Sequence, residues 1–129
     1  MATRVLLAED EPHIAETLTF LLEHAGYEVA AANNGKQALR RALAEPPDVM
    51  VLDMILPELD GYEILQQLRA DERGRTVPVL MLTAKGQRVD RETALEYGAD
   101  MFMTKPFSNA EITAAIARLA ERRSTATPE

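Results

Sequence analysis

At 129 residues the chain is the size of one compact domain, since single domains cluster around roughly 100 to 150 residues. Its 47% hydrophobic and 27% charged residues are the balance of a globular protein with a core, not of a disordered or fibrous chain. Fourteen Lys and Arg against 21 Asp and Glu leave a net charge of -7, which argues against direct binding to nucleic acid or anionic lipid, and the lack of cysteine rules out disulfides and thiol chemistry.

The opening MATRVLLAEDEP turns acidic after a short apolar run, too short for a signal peptide or a membrane span, so a cytoplasmic location is expected. Val5–Ala8 is a strand-length apolar run. Pro12 then suits a first helical turn, and Ile14, Leu18, Leu21, Leu22 and Ala25 share one face until Gly26 stops the helix. Tyr27–Ala32 can form a second strand; Asn34 caps a helix carrying Ala38, Leu39, Ala42 and Leu43, which Pro46-Pro47 ends. Val49–Leu52 is continuously apolar and runs into Asp53. A turn-rich loop leads to Asp60, which with Glu63 forms a capping-box pattern before Ile64, Leu65 and Leu68. Val77–Leu82 is a fourth strand, with Pro78 near its start and Thr83 at its end, and a mostly polar helix follows Gly86. Asp100–Thr104 is a fifth strand, and Ser108 with Glu111 caps a last helix bearing Ile112, Ala115, Ile116 and Leu119. Residues 1–123 are thus expected to form the domain, and 124–129 a frayed tail or the start of a linker.

Five strand–helix units in succession predict an α/β fold with a parallel sheet covered on both faces. Ligands of such sheets bind beyond the carboxyl ends of the strands. Glu9 and Asp10 follow the first strand, Asp53 the third, Thr83 the fourth and Lys105 the fifth. Each alone has an ordinary explanation as a helix-end acid, a capping hydroxyl or a solvated ammonium. Glu11 and His13 are left with that explanation, His13 being expected to be partly exposed. Together the five form a constellation. Three crowded carboxylates repel unless protonated or bound to a cation, and an oxygen-only donor set suits a hard ion such as Mg2+. A carboxylate beside a divalent ion and a lysine is suited to attack a phosphoryl group and form an acyl phosphate.

The segments VLLAEDEP, VMVLDMILPELDGYEIL, VPVLMLTAKG and GADMFMTKPF resemble the signature segments of response-regulator receiver domains, a resemblance that covers nearly the whole chain. It implies a flavodoxin-like sheet of strand order 2-1-3-4-5. It also implies a phosphorylation switch of a two-component phosphorelay, with Asp53 as acceptor and Thr83 and Lys105 as its catalytic companions. Mg2+ would be held by Asp10, Asp53 and the carbonyl of Ile55, with Glu9 assisting through water. The Lys105–Pro106 peptide falls where the family's is usually cis. Such a domain is not a conventional enzyme, but promotes its own phosphorylation and slow dephosphorylation. Its expected partners are a sensor histidine kinase or histidine phosphotransfer protein and a downstream effector.

The switch pair implied is Thr83 and Phe102. Phe102 stands where tyrosine is common and cannot hydrogen-bond when turned outward, so the switch is expected to lean inward. The output surface would comprise the fourth helix, fifth strand and fifth helix, through which transcriptional members dimerise by ion pairs. Arg91 and Glu111 keep one pair; Tyr97 with Ala115, and Met101 with Arg122, cannot form the other two. A monomer or weak phosphorylation-dependent homodimer is therefore expected. Three rival readings stand against it. A flavodoxin would need a phosphate-cradling first loop, where this chain has Glu9-Asp10-Glu11-Pro12; an aspartyl phosphatase would carry an acid two residues after its nucleophile, where this chain has Ile55. The third, a phosphorylation-independent interaction module, has no need of the complete set of site residues.

Overall fold

The computed structural model describes residues 3–83, 91–105 and 107–126, without the side chains of Arg91 and of residues 122–126. Lys85, Gly86 and Pro106, and with Pro106 the expected cis peptide, lie outside the described residues. The elements alternate: β1 (Arg4–Ala8), α1 (Pro12–His24), β2 (Glu28–Ala32), α2 (Gly35–Ala44), β3 (Val49–Asp53), α3 (Gly61–Ala70), β4 (Val79–Thr83), α4 (Arg91–Glu96), β5 (Met101–Thr104) and α5 (Asn109–Ala126). All strand pairs are parallel, in the order β2-β1-β3-β4-β5. No helix among the described residues is long and apolar enough to cross a membrane.

β3 and β4 are apolar up to their last residue, and β1 after its first, because each face of the sheet meets helices, and their period of two sorts the side chains. Leu6, Ala8, Met50, Leu52, Val79 and Met81 face α2, α3 and α4, packing on Ala38, Leu39, Ile64, Leu65, Leu68 and Ala94. Val5, Leu7, Val49, Val51, Leu80 and Leu82 face α1 and α5, packing on Leu18, Leu22, Ile112, Ile116 and Leu119. Fully burying one such side chain contributes about 1.5–3 kcal/mol.

The helix ends follow local chemistry. Gly26, at φ +100°, closes α1: its N–H donates to the Glu23 carbonyl at 3.0 Å and that of Tyr27 to the Leu22 carbonyl at 3.1 Å. Tyr27 is thereby spent on the helix, and β2 starts one residue later than its sequence pattern predicts. Asn34 Oδ1 accepts from the Gln37 N–H, and the capping boxes Asp60/Glu63 and Ser108/Glu111 both form. β4 starts at Val79, not Val77, because Pro78 brings no donor to the ladder. The expected tail from Ser124 is helical as far as Ala126.

Arginine side chains tie elements together. Arg69, at the end of α3, donates to the carbonyls of Gly98 (2.6 and 3.0 Å), Gly74 (2.8 Å) and Val77 (2.7 Å) and pairs with Asp100 at 3.1 Å. Asp100 in turn accepts from the Val79 N–H at 2.8 Å, so one cluster fixes the N-terminal ends of β4 and β5. On edge strand β2, Arg41 of α2 donates to the Ala31 carbonyl at 2.6 Å.

Candidate functional site

The chain leaves β1 for β2 on one side and returns to β3 on the other, so a crevice opens where the carboxyl ends of β1 and β3 part. The Glu9 N–H donates to the Ala32 carbonyl at 3.0 Å, which carries the ladder one residue past β1 and sets Glu9 on the sheet edge. Asp53 closes β3. Beyond β5, the Lys105 N–H donates to the Thr83 carbonyl at 2.7 Å, which aims the chain across the crevice. Lys105 Nζ reaches both carboxylates, 3.0 Å from Glu9 Oε1 and 3.0 Å from Asp53 Oδ2.

Among the described residues the buried polar or charged ones are Glu9, Asp53 and Thr83, and all three stand at this edge. Elsewhere the core is apolar. Asp53 Oδ1 accepts from the Ile55 N–H at 3.2 Å, and Glu9 Oε2 from the Glu11 N–H at 3.1 Å. Burial pushes the Glu9 carboxyl up to about 7, aided by its contact with Asp53 and opposed by the Glu11 N–H and Lys105. Burial works against the Lys105 ammonium too, but its hydrogen bonds to Glu9 and Asp53 outweigh it and hold the group above its ordinary value. Glu9, Asp10 and Asp53 offer carboxylate oxygens all within 4.8 Å of one another, Asp10 from an exposed position. An all-oxygen donor set of this charge fits a hard divalent cation, whose charge would meet what one lysine leaves uncompensated. Beside it lies a cavity of about 340 Å³ lined by Glu9, Asp10, Pro12, Asn33 and Gln37.

Residues 5–117 match the family model described as the response regulator receiver domain. The chain belongs to this family. Receiver domains are phosphorylation-activated signalling switches of two-component systems and bind Mg2+ in their acidic site. This receiver domain is 43% identical over 128 residues to the Bacillus subtilis alkaline phosphatase synthesis transcriptional regulatory protein PhoP, covering 99% of this chain and 52% of that protein. It is 41% identical to the DNA-binding dual master transcriptional regulator RpaA of Synechocystis, over 92% of this chain and 49% of that one. The chain thus spans about half the length of the curated relatives it matches. Among solved structures, a putative response regulator from Chloroflexus aurantiacus superposes with a TM-score of 0.88 at 33% identity, covering 95% of this chain and all of that one. The receiver domain of a Pseudomonas aeruginosa sensor histidine kinase, with a magnesium ion coordinated in its active-site cleft, gives 0.86 at 36% identity over 94% and 99% of the two chains.

The receiver's other expected site residues fall as follows. Thr83, pairing with Thr104 across the ladder, is buried at the site. Phe102 is half-buried against the core under α2, α3 and α4. Ile55 is 58% exposed, its side chain turned to solvent beside Asp53. Glu11 caps α1 by accepting from the His13 N–H, and His13 is exposed. Of the expected partner surface, Tyr97 and Glu111 are exposed and Met101 is half-buried. Ala115 is a correction: at 4% exposure it belongs to the core, because its spacing from Ile112 and Leu119 turns it to the sheet. The side chains of Arg91 and Arg122 are outside the described residues. Sequence reasoning missed the Arg69 cluster, whose partners lie up to 31 residues away, and the docking of the loop after Asp53 on α2, where Asn34-Gly35 signalled only a helix start.

Proposed function

We propose that this domain is switched by transfer of a phosphoryl group to Asp53. The observation that carries the reading is Lys105 Nζ bridging Glu9 and Asp53 with Asp10 alongside. An Asp53 carboxylate oxygen attacks phosphorus in line with the leaving group; the new O–P bond gives the acyl phosphate as the P–N bond of a donor phosphohistidine breaks, its electron pair returning to the imidazole. Lys105 supplies positive charge to the transferring oxygens and Thr83 a hydroxyl hydrogen bond. Asp10, Asp53 and the Ile55 carbonyl would hold Mg2+, with Glu9 at its margin; when bound it neutralises the charge gathered on the phosphoryl oxygens. The donor is a sensor histidine kinase or histidine phosphotransfer protein. The output passes through Thr83 and Phe102 to the face of α4, β5 and α5, where an effector protein or domain responds.

Acetyl phosphate with Mg2+ is expected to modify Asp53 alone. Intact mass and peptide mapping should show one acid-stable, base-labile phosphoryl adduct that Asp53→Asn abolishes; an adduct on another residue overturns the assignment.

A further inference from the structure

The loop from Met54 to Asp60 carries the proposed Ile55 carbonyl ligand, and its shape is strained. Glu58 has φ +74°, and across it the Leu59 N–H donates to the Pro57 carbonyl at 2.9 Å, the geometry of a left-handed γ-turn that side chains rarely adopt. Such a conformation persists only where its surroundings over-determine it. At the base, the Gly61 N–H donates to the Met54 carbonyl at 2.7 Å. The tip is held from another element: the Gly35 N–H, at the start of α2, donates to the same Pro57 carbonyl at 2.9 Å. That amide is one a helix N-terminus leaves without an internal partner. The approach requires glycine, since a Cβ on Gly35 would meet the Leu59 carbonyl oxygen and Leu59 Cβ, the latter at 2.6 Å. Backbone cannot yield there as a flexible side-chain end would. Leu59 packs on the core beside α2, and Lys36 Nζ lies 3.9 Å from Glu58 Oε1.

We propose that Gly35 is a positioning residue for the cation site: by docking Pro57 and Leu59 on α2 it fixes the loop that presents Ile55 and braces Asp53. The inference rests on the metal reading above. It predicts coupling in both directions, because what the docked loop adds to Mg2+ affinity, Mg2+ must return to the docking. Isothermal titration of Gly35→Ala with Mg2+ should show an affinity loss of about fivefold or more. Ile116→Val, which thins the opposite core, should lower the melting temperature and leave that affinity unchanged. On the unaltered chain, saturating Mg2+ should slow hydrogen exchange of the Gly35 amide by the same factor, while the Gln37 amide, capped by Asn34 at the same helix end, keeps its rate. The exchange measurement decides the matter even if Gly35→Ala does not fold. A Gly35 amide indifferent to Mg2+, while Asp10 and Asp53 resonances respond, overturns this proposal alone; an unaltered chain that binds no Mg2+ overturns it together with the metal reading.

Discussion

The ring of Tyr62 on α3 lies stacked on that of Tyr97, just past α4, with centroids 4.4 Å apart and planes 22° from parallel. An aromatic pair in this arrangement contributes about 0.5–1.5 kcal/mol beyond area burial. Tyr97 is therefore held against its own chain while one edge stays exposed.

That pairing bears on self-association. Glu111 already accepts from the Ser108 N–H at 2.8 Å, and Ala115 is in the core, so an ionic seam along α4 and α5 has few free members. A single exposed salt bridge between Arg91 and Glu111 contributes only about 0–1 kcal/mol. Sedimentation equilibrium with beryllofluoride and Mg2+ should report a monomer or weak dimer. A tight dimer that Arg91→Ala dissociates would refute this view of the surface.

Lys105 is the second test. Its side chain is 18% exposed and those of Glu9 and Asp53 are 1% and 9% exposed, so removing the ammonium leaves two carboxylates facing each other with little water. Lys105→Met should destabilise the Mg2+-free protein by on the order of 1–3 kcal/mol at pH 8 in urea unfolding. An unchanged midpoint would mean that the bridge adds nothing to the fold.

For Asp10, exposure and proximity to the other two carboxylates make it the acid most easily removed. Asp10→Asn should raise the Mg2+-free melting temperature by about 2–4 °C through relief of repulsion. The same variant should lose most of the stabilisation by Mg2+, which for a ligand at tenfold excess over its Kd is about 1.4 kcal/mol. A lower melting temperature without metal would count against a repulsive cluster.

Ile55 is expected to set how long an Asp53 phosphate persists. Its exposed side chain stands two residues after Asp53 and offers nothing polar to orient an attacking water. Ile55→Asn should accelerate loss of phosphate by a factor of roughly 3–10, the equivalent of one hydrogen bond in the transition state. Phosphate release followed after removal of donor measures this, and an equal or slower rate would contradict it.

The alternation of strands and helices is legible in the sequence because the punctuation is strong: Gly26, Pro46-Pro47 and the two capping boxes each act within a few residues. Convergence of Glu9, Asp10, Asp53 and Lys105 is legible for a geometric reason, since in a parallel sheet every residue after a strand lies on the same edge. What escaped depends on contacts between distant elements. Nothing near Arg69 announces that its guanidinium will gather carbonyls from two loops, and nothing near Tyr62 announces Tyr97. Ala115 shows a subtler limit: its spacing from Ile112, Ile116 and Leu119 put it on the apolar side of the last helix while the family resemblance put it on the output surface, and its packing against the sheet decides for the core.

The bond from Arg41 to Ala31 has a consequence for assembly. Glu28 donates to Thr3 and Ala32 accepts from Glu9, so in the alternation of a parallel ladder the backbone of Val29 and Ala31 turns away from the sheet. An open edge is a template on which stray strands can build, and such edges are often guarded by lysine, proline or a bulge. β2, reading EVAAA, contains neither lysine nor proline. Its guard is borrowed from the next helix: the Arg41 guanidinium sits on the outward Ala31 carbonyl, so a strand arriving to extend the sheet meets a charge it would first have to displace.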